Sequence, residues 1–191
     1  MPNWNNNAVT ISHEDPAQIA RVVKAYNESR LFAEFYPIPE ELRDPASTTY
    51  GGENKEEQDQ LRESLLAKYG YESWYDWCIA NWGCKWDANI NDGIEPIVSP
   101  GGLEVSLSFD TAWAPPIGWY DRMTEDGFSI DACYYEPGMS FCGRWTSDSG
   151  DDYYNIEGNS EWVRENIPAY IDEMFDISGN MEMWEEESEE E

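Results

Sequence analysis

Residues 103–110, LEVSLSFD, alternate without a break: Leu103, Val105, Leu107 and Phe109 fall on one side, Glu104, Ser106, Ser108 and Asp110 on the other. A period of two marks a strand with one face on a core and the other toward water. The chain must therefore build a sheet, and the other segments are read for what pairs with this strand or covers it. NAVTIS (7–12) predicts a first strand. DPAQIARVVKAYN follows with a helix start signal: Asp15 as N-cap, Pro16 at the first helical position and Gln18 three residues after the cap. Ile19, Val22, Val23 and Tyr26 then form one apolar stripe.

Residues 35–60 hold several prolines and a glycine pair and predict an irregular insertion. EEQDQLRESLLAKYG predicts a helix ended by Gly70, and ESWYDWCIANWG a second one closed by Gly83. KWDANI and IEPIVS predict strand pieces, with Pro96 restricting the second to an edge or a bulge. A helix is expected from about Pro116 with Ile117, Tyr120 and Met123 inward. FSIDACYYE and MSFCGRWTS predict a hairpin, and DDYYNIEG a further strand. SEWVRENIPAYIDEMFD is helical by pattern and interrupted at Pro168, with Val163, Ile167, Tyr170, Ile171 and Met174 as its apolar stripe.

This order predicts an α+β fold: a ferredoxin-like antiparallel sheet with helices on one face. The expected units are a domain over 1–158 with a helical insert at about 35–83, an acidic C-terminal helical segment over 159–180, and a Glu-rich tail over 181–191, disordered in isolation. Ten tryptophans and twelve tyrosines supply the buried area that a chain poor in aliphatics needs.

Charge narrows the function. Forty carboxylates face eleven cations, for a net charge of −29. Phosphates are repelled by such a surface, so direct nucleic-acid or anionic-membrane binding is not expected, and a basic protein partner is. A folded chain of this mass exposes on the order of 9,000 Å², about one net charge per 300 Å². Duplex DNA presents about one per 100 Å², so mimicry of DNA requires the carboxylates to be concentrated. Residues Asp148, Asp151, Asp152, Glu157, Glu161, Glu165, Asp172, Glu173 and Asp176 are the candidate face, opposed by Arg144 and Arg164 alone. Such a run serves either as a solvated face or as a surface built to meet Lys/Arg clusters. Solubility needs a net charge of only about 2–8.

No apolar leader follows Met1 and no stretch approaches 18 apolar residues, so a cytoplasmic protein with reduced thiols is expected. Cys78, Cys84, Cys133 and Cys142 lack zinc-site spacing and His13 is the sole histidine, so neither a metal nor another cofactor is expected. DSGDDYYNIEG departs from the calcium-loop register. There is no P-loop and no nucleophile elbow. Asp87, Asp110 and Glu136 are candidate catalytic carboxylates, but forty acidic residues make chance pairs common, and the chain is read as non-enzymatic.

NWGCKWDA (81–88) admits two readings. It is an aromatic pocket built from Trp82, Lys85, Trp86, Asp110 and Trp113, or it is packing, with Trp4, Trp82, Trp86 and Trp113 filling the junction of helices and sheet and Lys85 over an indole or paired with Asp87 or Asp110. The words MPNWNNN, SWYDWCIANWGCKWDA, FDTAWAPP and YYEPGMSFCG, in that order over residues 1–145, resemble the ferredoxin-like proteins of the plasmid YubB and phage Api type. Members usually begin Met-Pro-Asn-Trp-Cys; Asn5 replaces that cysteine here, and Cys84 stands where threonine is common. Both departures weaken any shared thiol chemistry. The resemblance implies a fold and an origin in mobile elements, and no established reaction. Together with the charge it points to an anti-defence inhibitor acting on a nuclease or a CRISPR or restriction component in the host cytoplasm; a small ligand-binding domain or enzyme at the aromatic pocket is the alternative. A self-assembling accessory protein is a third reading, opposed by the density of like charge.

Overall fold

In the computed structural model, residues 3–52 and 54–189 are described. The alternation at 103–110 becomes β3 (Glu104–Ala112), whose Val105, Leu107 and Phe109 are buried; Leu103 lies just outside it and is exposed. β3 pairs antiparallel along its whole length with β1 (Trp4–Ser12). On its other side β1 pairs antiparallel with β4 (Ser129–Glu136). β5 (Phe141–Thr146) and β6 (Gly150–Asn155) continue the sheet beyond β4, and a two-residue β2 (Ile97–Val98) closes the far edge. The order is β2-β3-β1-β4-β5-β6, all antiparallel. Its first four strands have the interleaved order of a ferredoxin-like sheet, and the β5–β6 hairpin extends it.

The two long crossovers carry α1 (Pro16–Asn27) and α5 (Ile117–Glu125). Asp15 caps α1 by accepting from the Ala17 N–H at 2.9 Å, as its sequence predicts. Ile19, Val22 and Tyr26 of α1 and Trp119, Tyr120 and Met123 of α5 are buried with Val9, Ile11, Val105, Phe109 and Ile130 of the sheet. The insert supplies α2 (Leu31–Phe35), two short 3-10 turns, α3 (Lys55–Tyr69) and α4 (Trp74–Asn81), which pack into the same core through Phe32, Leu42, Leu65, Trp77 and Cys78. Gly83 ends α4 with φ +90°; a Cβ there would stand 2.9 Å from the backbone nitrogen of Ile117, so only glycine lets α4 end against the start of α5.

The opposite face is treated differently along its width. α6 (Ser160–Asn166), α7 (Ala169–Phe175) and α8 (Ile177–Glu189) form a C-terminal unit. A second, smaller core of Val163, Ile167, Ile171 and Ile177 seats it on Cys133 and Cys142 of β4 and β5. Pro168 breaks α6 from α7, as expected from its missing N–H. Ile171 is buried, whereas Tyr170 and Met174 of the predicted stripe are exposed. Beside this unit β1 and β3 turn small polar side chains outward, and a groove of about 450 Å³ runs between Ala8, Thr10 and Ser106 of the sheet and Tyr170 and Met174 of α7.

Two segments differ from their sequence reading. KWDANI is no strand; it is irregular, with a single bridge between Asn89 and Asp110, because Asp87 turns inward to serve another element. Nor is the Glu-rich tail free: α8 is helical through Glu189, held to α6 by side-chain bonds. The expectation for Glu190 and Glu191 lies outside the described residues. No helix is long and apolar enough to cross a membrane among the described residues.

Candidate functional site

The aromatic segment resolves into packing and a pocket. Trp82 is buried, donates its indole N–H to the Tyr36 carbonyl at 3.0 Å, and stands edge-on to Trp77 and Phe32. It is glue of the kind proposed for this segment. Lys85 forms no ion pair with Asp87 or Asp110. Its ammonium lies 4.4 Å from the Trp86 ring centroid, 5.0 Å from Trp113 and 5.9 Å from Tyr75, a cation–π arrangement. Trp86 and Trp113 remain about 40 % exposed (39 % and 43 %), so they border solvent instead of filling the junction. Trp113 takes a left-handed φ of +70° and donates its N–H to the Asn3 carbonyl at 3.0 Å. That conformation costs a non-glycine residue about 1–3 kcal/mol, and it holds the ring over Lys85.

A pocket of about 220 Å³ opens beside this cation, lined by Trp74, Trp82, Lys85, Trp86, Asp87 and Arg43, with Ala33, Ile38 and Cys78. Asp110 and Trp113 of the expected set are not on its wall. Asp110 accepts from the Asn6 amide at 2.8 Å and the Asn91 amide at 3.0 Å, tying β1 to the loop before β2. Arg43 joins the pocket from a 3-10 turn of the insert, and nothing local in the sequence marks it.

The candidate catalytic carboxylates serve structure. Asp87 accepts from the backbone N–H of Phe32 at 2.7 Å, Ala33 at 3.0 Å and Ala88 at 2.8 Å, capping α2 from outside that helix. Burial raises its pKa, and the three N–H donors pull the other way. Glu136 is fully buried and accepts from the Met139 N–H, closing the β4–β5 turn. Three different donor sets hold Asp87, Asp110 and Glu136. The thiols are buried and free: burial pushes Cys78 up to about 12, Cys133 to about 11, Cys142 to about 12, and Cys84 well above its ordinary value. They are protonated at neutral pH and poor nucleophiles. Asn5, where the resembling proteins carry cysteine, is buried and donates to Asn7 Oδ1 at 3.0 Å. No group of three His, Cys, Asp or Glu side chains could hold a metal ion among the described residues.

The acidic candidates divide by role. Asp151 accepts from the Tyr134 hydroxyl at 2.7 Å, and burial raises its pKa. Asp152, its neighbour on β6, sits across from Arg144, whose guanidinium instead grips Asp131 at 2.8 and 2.5 Å. Asp172 accepts from the N–H and hydroxyl of Ser178, both at 2.7 Å, and so caps α8. Asp148, Glu157, Glu161, Glu165, Glu173 and Asp176 are exposed. To these the structure adds the tail, which sequence reasoning set apart. Glu185 accepts from the Ser160 N–H and hydroxyl, both at 2.8 Å, capping α6, and Glu182 takes Arg164 at 2.5 Å. Glu186 and Glu187 face solvent with Met183 and Trp184, the latter 70 % exposed. Trp162 is instead packed against the small core. Residues 148–191 hold sixteen of the forty carboxylates and one of the eleven cations.

No family model matches the chain. No curated protein matches it either. Among solved structures it is similar to the crystal structure of a protein api92 from Yersinia pseudotuberculosis, of the family model DUF1281, at 11% identity over 83% of this chain and 100% of that one, with a TM-score of 0.41. A likeness that slight leaves the fold to rest on the strand order above, and says nothing of function.

Proposed function

We propose that this chain is a non-enzymatic inhibitor of phage or plasmid origin, related to the Api-type proteins and acting in the host cytoplasm. Its C-terminal unit occupies the basic nucleic-acid-binding surface of a host defence protein, a nuclease or a CRISPR or restriction component, as a partial mimic of DNA. The observation that carries this reading is the acidic imbalance of residues 148–191, part of it on β6 and much of the rest on α6, α7 and α8, which their own apolar core fixes to the sheet. Spread over 10,892 Å², 29 net charges amount to about one per 380 Å², too thin for mimicry, so the concentration matters. A rigid display avoids the ordering cost a disordered acidic tail pays on binding. Trp184 and Met183 supply apolar contact amid the charges.

The test is competition. DNA binding by purified defence nucleases is measured with and without the chain between 50 mM and 1 M sodium chloride. A decoy displaces DNA at low salt and loses affinity steeply as salt rises, and a variant with Glu161, Glu165 and Glu173 changed to Lys loses displacement while remaining folded. Displacement from no member of the panel, or inhibition indifferent to 1 M salt, overturns the proposal.

A further inference from the structure

In a chain where carboxylates outnumber cations by more than three to one, a cation without a carboxylate is not short of candidates. Seven of the eleven form ion pairs. Four do not among the described residues. Arg122 bonds to the Asn81 side-chain oxygen and lies over Tyr36, and Lys55 is exposed on the first turn of α3. The remaining two, Arg43 and Lys85, line the same pocket.

From this we infer that the pocket between α2, α4 and the 81–88 segment is a binding site for a small flat aromatic carboxylate. Trp74 and Trp86 offer ring surface for a planar ligand, the buried Trp82 backs the wall, and Ala33 and Ile38 complete an apolar lining. At about 220 Å³ the pocket lies below the ~300 Å³ at which ligand cavities usually begin, so it suits a single ring bearing one charged group and excludes a nucleotide. The sign of that charge follows from the groups around it. Among the described residues Asp87 is the one carboxylate on the wall, and three backbone N–H groups already engage it. Glu41, beside Arg43 in the same turn, is taken by Lys68 at 2.6 Å. On the wall itself two cations stand against one satisfied carboxylate; Glu40 and Asp44 flank Arg43 but line the neighbouring cavity and not this one, and charge farther out is screened over about 8 Å at physiological ionic strength. Lys85, stacked on Trp86 and Trp113, is held as a fixed point charge, and the exposed Arg43 supplies the planar fork that pairs with a carboxylate. The site is independent of the acidic unit and of its proposed partner.

The experiment compares benzoate, benzamide and benzamidinium on the full chain by calorimetry and ligand-observed NMR. Benzoate binds with a millimolar or better dissociation constant and at least tenfold tighter than benzamide, and benzamidinium is the weakest. Arg43→Gln weakens benzoate at least fivefold, and Arg43→Lys recovers part of the loss. Lys55→Gln, the same charge change away from the pocket, leaves binding unaltered, which separates a local contact from the bulk field. Near-UV dichroism confirms that each variant is folded. No benzoate binding at 10 mM, equal affinity for benzamide, preference for benzamidinium, or equal losses in Arg43→Gln and Lys55→Gln would each overturn the assignment.

Discussion

Replacing Asp87 with alanine removes the acceptor for three N–H groups and tests whether this carboxylate organises the insert. Two of the donors, Phe32 and Ala33, belong to the first turn of α2, where Arg30 offers no side-chain cap. The third is local, on Ala88. A hydrogen bond to a charged group is worth about 1.5–3 kcal/mol net. Two such bonds from α2 therefore bound the loss at roughly 3–6 kcal/mol. Relief of the cost of burying the charge, and entry of water into the half-open pocket, return part of that, so about 3 kcal/mol is expected. For a chain of this size each kcal/mol moves Tm by about 2–4 °C, which makes the shift roughly 6–12 °C. Urea unfolding followed by tryptophan fluorescence reads it directly, because Trp82 and Trp77 sit beside the site. Asp87→Asn, which keeps one oxygen acceptor, loses less than the alanine variant. A loss below about 1 kcal/mol in Asp87→Ala at an unchanged m-value would refute the capping role and return Asp87 to the pool of functional candidates.

The same residue has a pH signature. Its pKa is raised in the folded state, so the native chain holds the proton more tightly than the unfolded one, and the stability this adds is full below about pH 3.8 and lost as pH rises through the native value. Urea titrations from pH 4 upward should show the wild-type advantage over Asp87→Asn shrinking; an advantage that grows would mean the N–H donors outweigh burial. The four thiols should react with a disulfide reagent at pH 7.5 only after denaturation, and a fast-reacting thiol in the native protein would contradict their burial. Ile171→Ala empties the small core under α7 and should cost about 2–5 kcal/mol, with proteolytic nicking in 156–189 while residues 4–146 stay protected; uniform loss of protection would mean the two cores unfold as one. Gly143→Ala drives a Cβ into the Tyr134 hydroxyl and to 2.6 Å from the Asp152 carbonyl, so a destabilisation of roughly 1–3 kcal/mol is expected by chemical denaturation; a neutral result would show that β5 shifts freely.

The elements readable in the sequence are those governed by local rules. β3 shows its alternation, α1 its Asp15 cap and Pro16, and α4 its Gly83 stop. Segments organised by distant partners were not readable. KWDANI reads as a strand because nothing near it says that Asp87 must reach α2. The tail by itself reads as disordered because the residues that order α8, Ser160, Arg164 and Asp172, lie outside it. The site divides the same way. Trp82, Lys85 and Trp86 were identifiable as one word of sequence, but Arg43 stands far from them along the chain and reaches the pocket through a turn no periodicity predicts. Asp110 is three residues from Trp113 along the chain, but its position in β3 aims it at Asn6 and away from the pocket.

Among the described residues the outermost strand, β6, ends the sheet with no strand beyond it, and an uncovered rim of that kind invites templated growth between copies. Asp151 and Asp152 stand along it, in a chain whose isoelectric point is about 4.1. Mutual repulsion thus doubles as a guard against self-association, and it is pH-dependent by construction. Acidification toward pH 4 should weaken this repulsion and promote association, which light scattering would read.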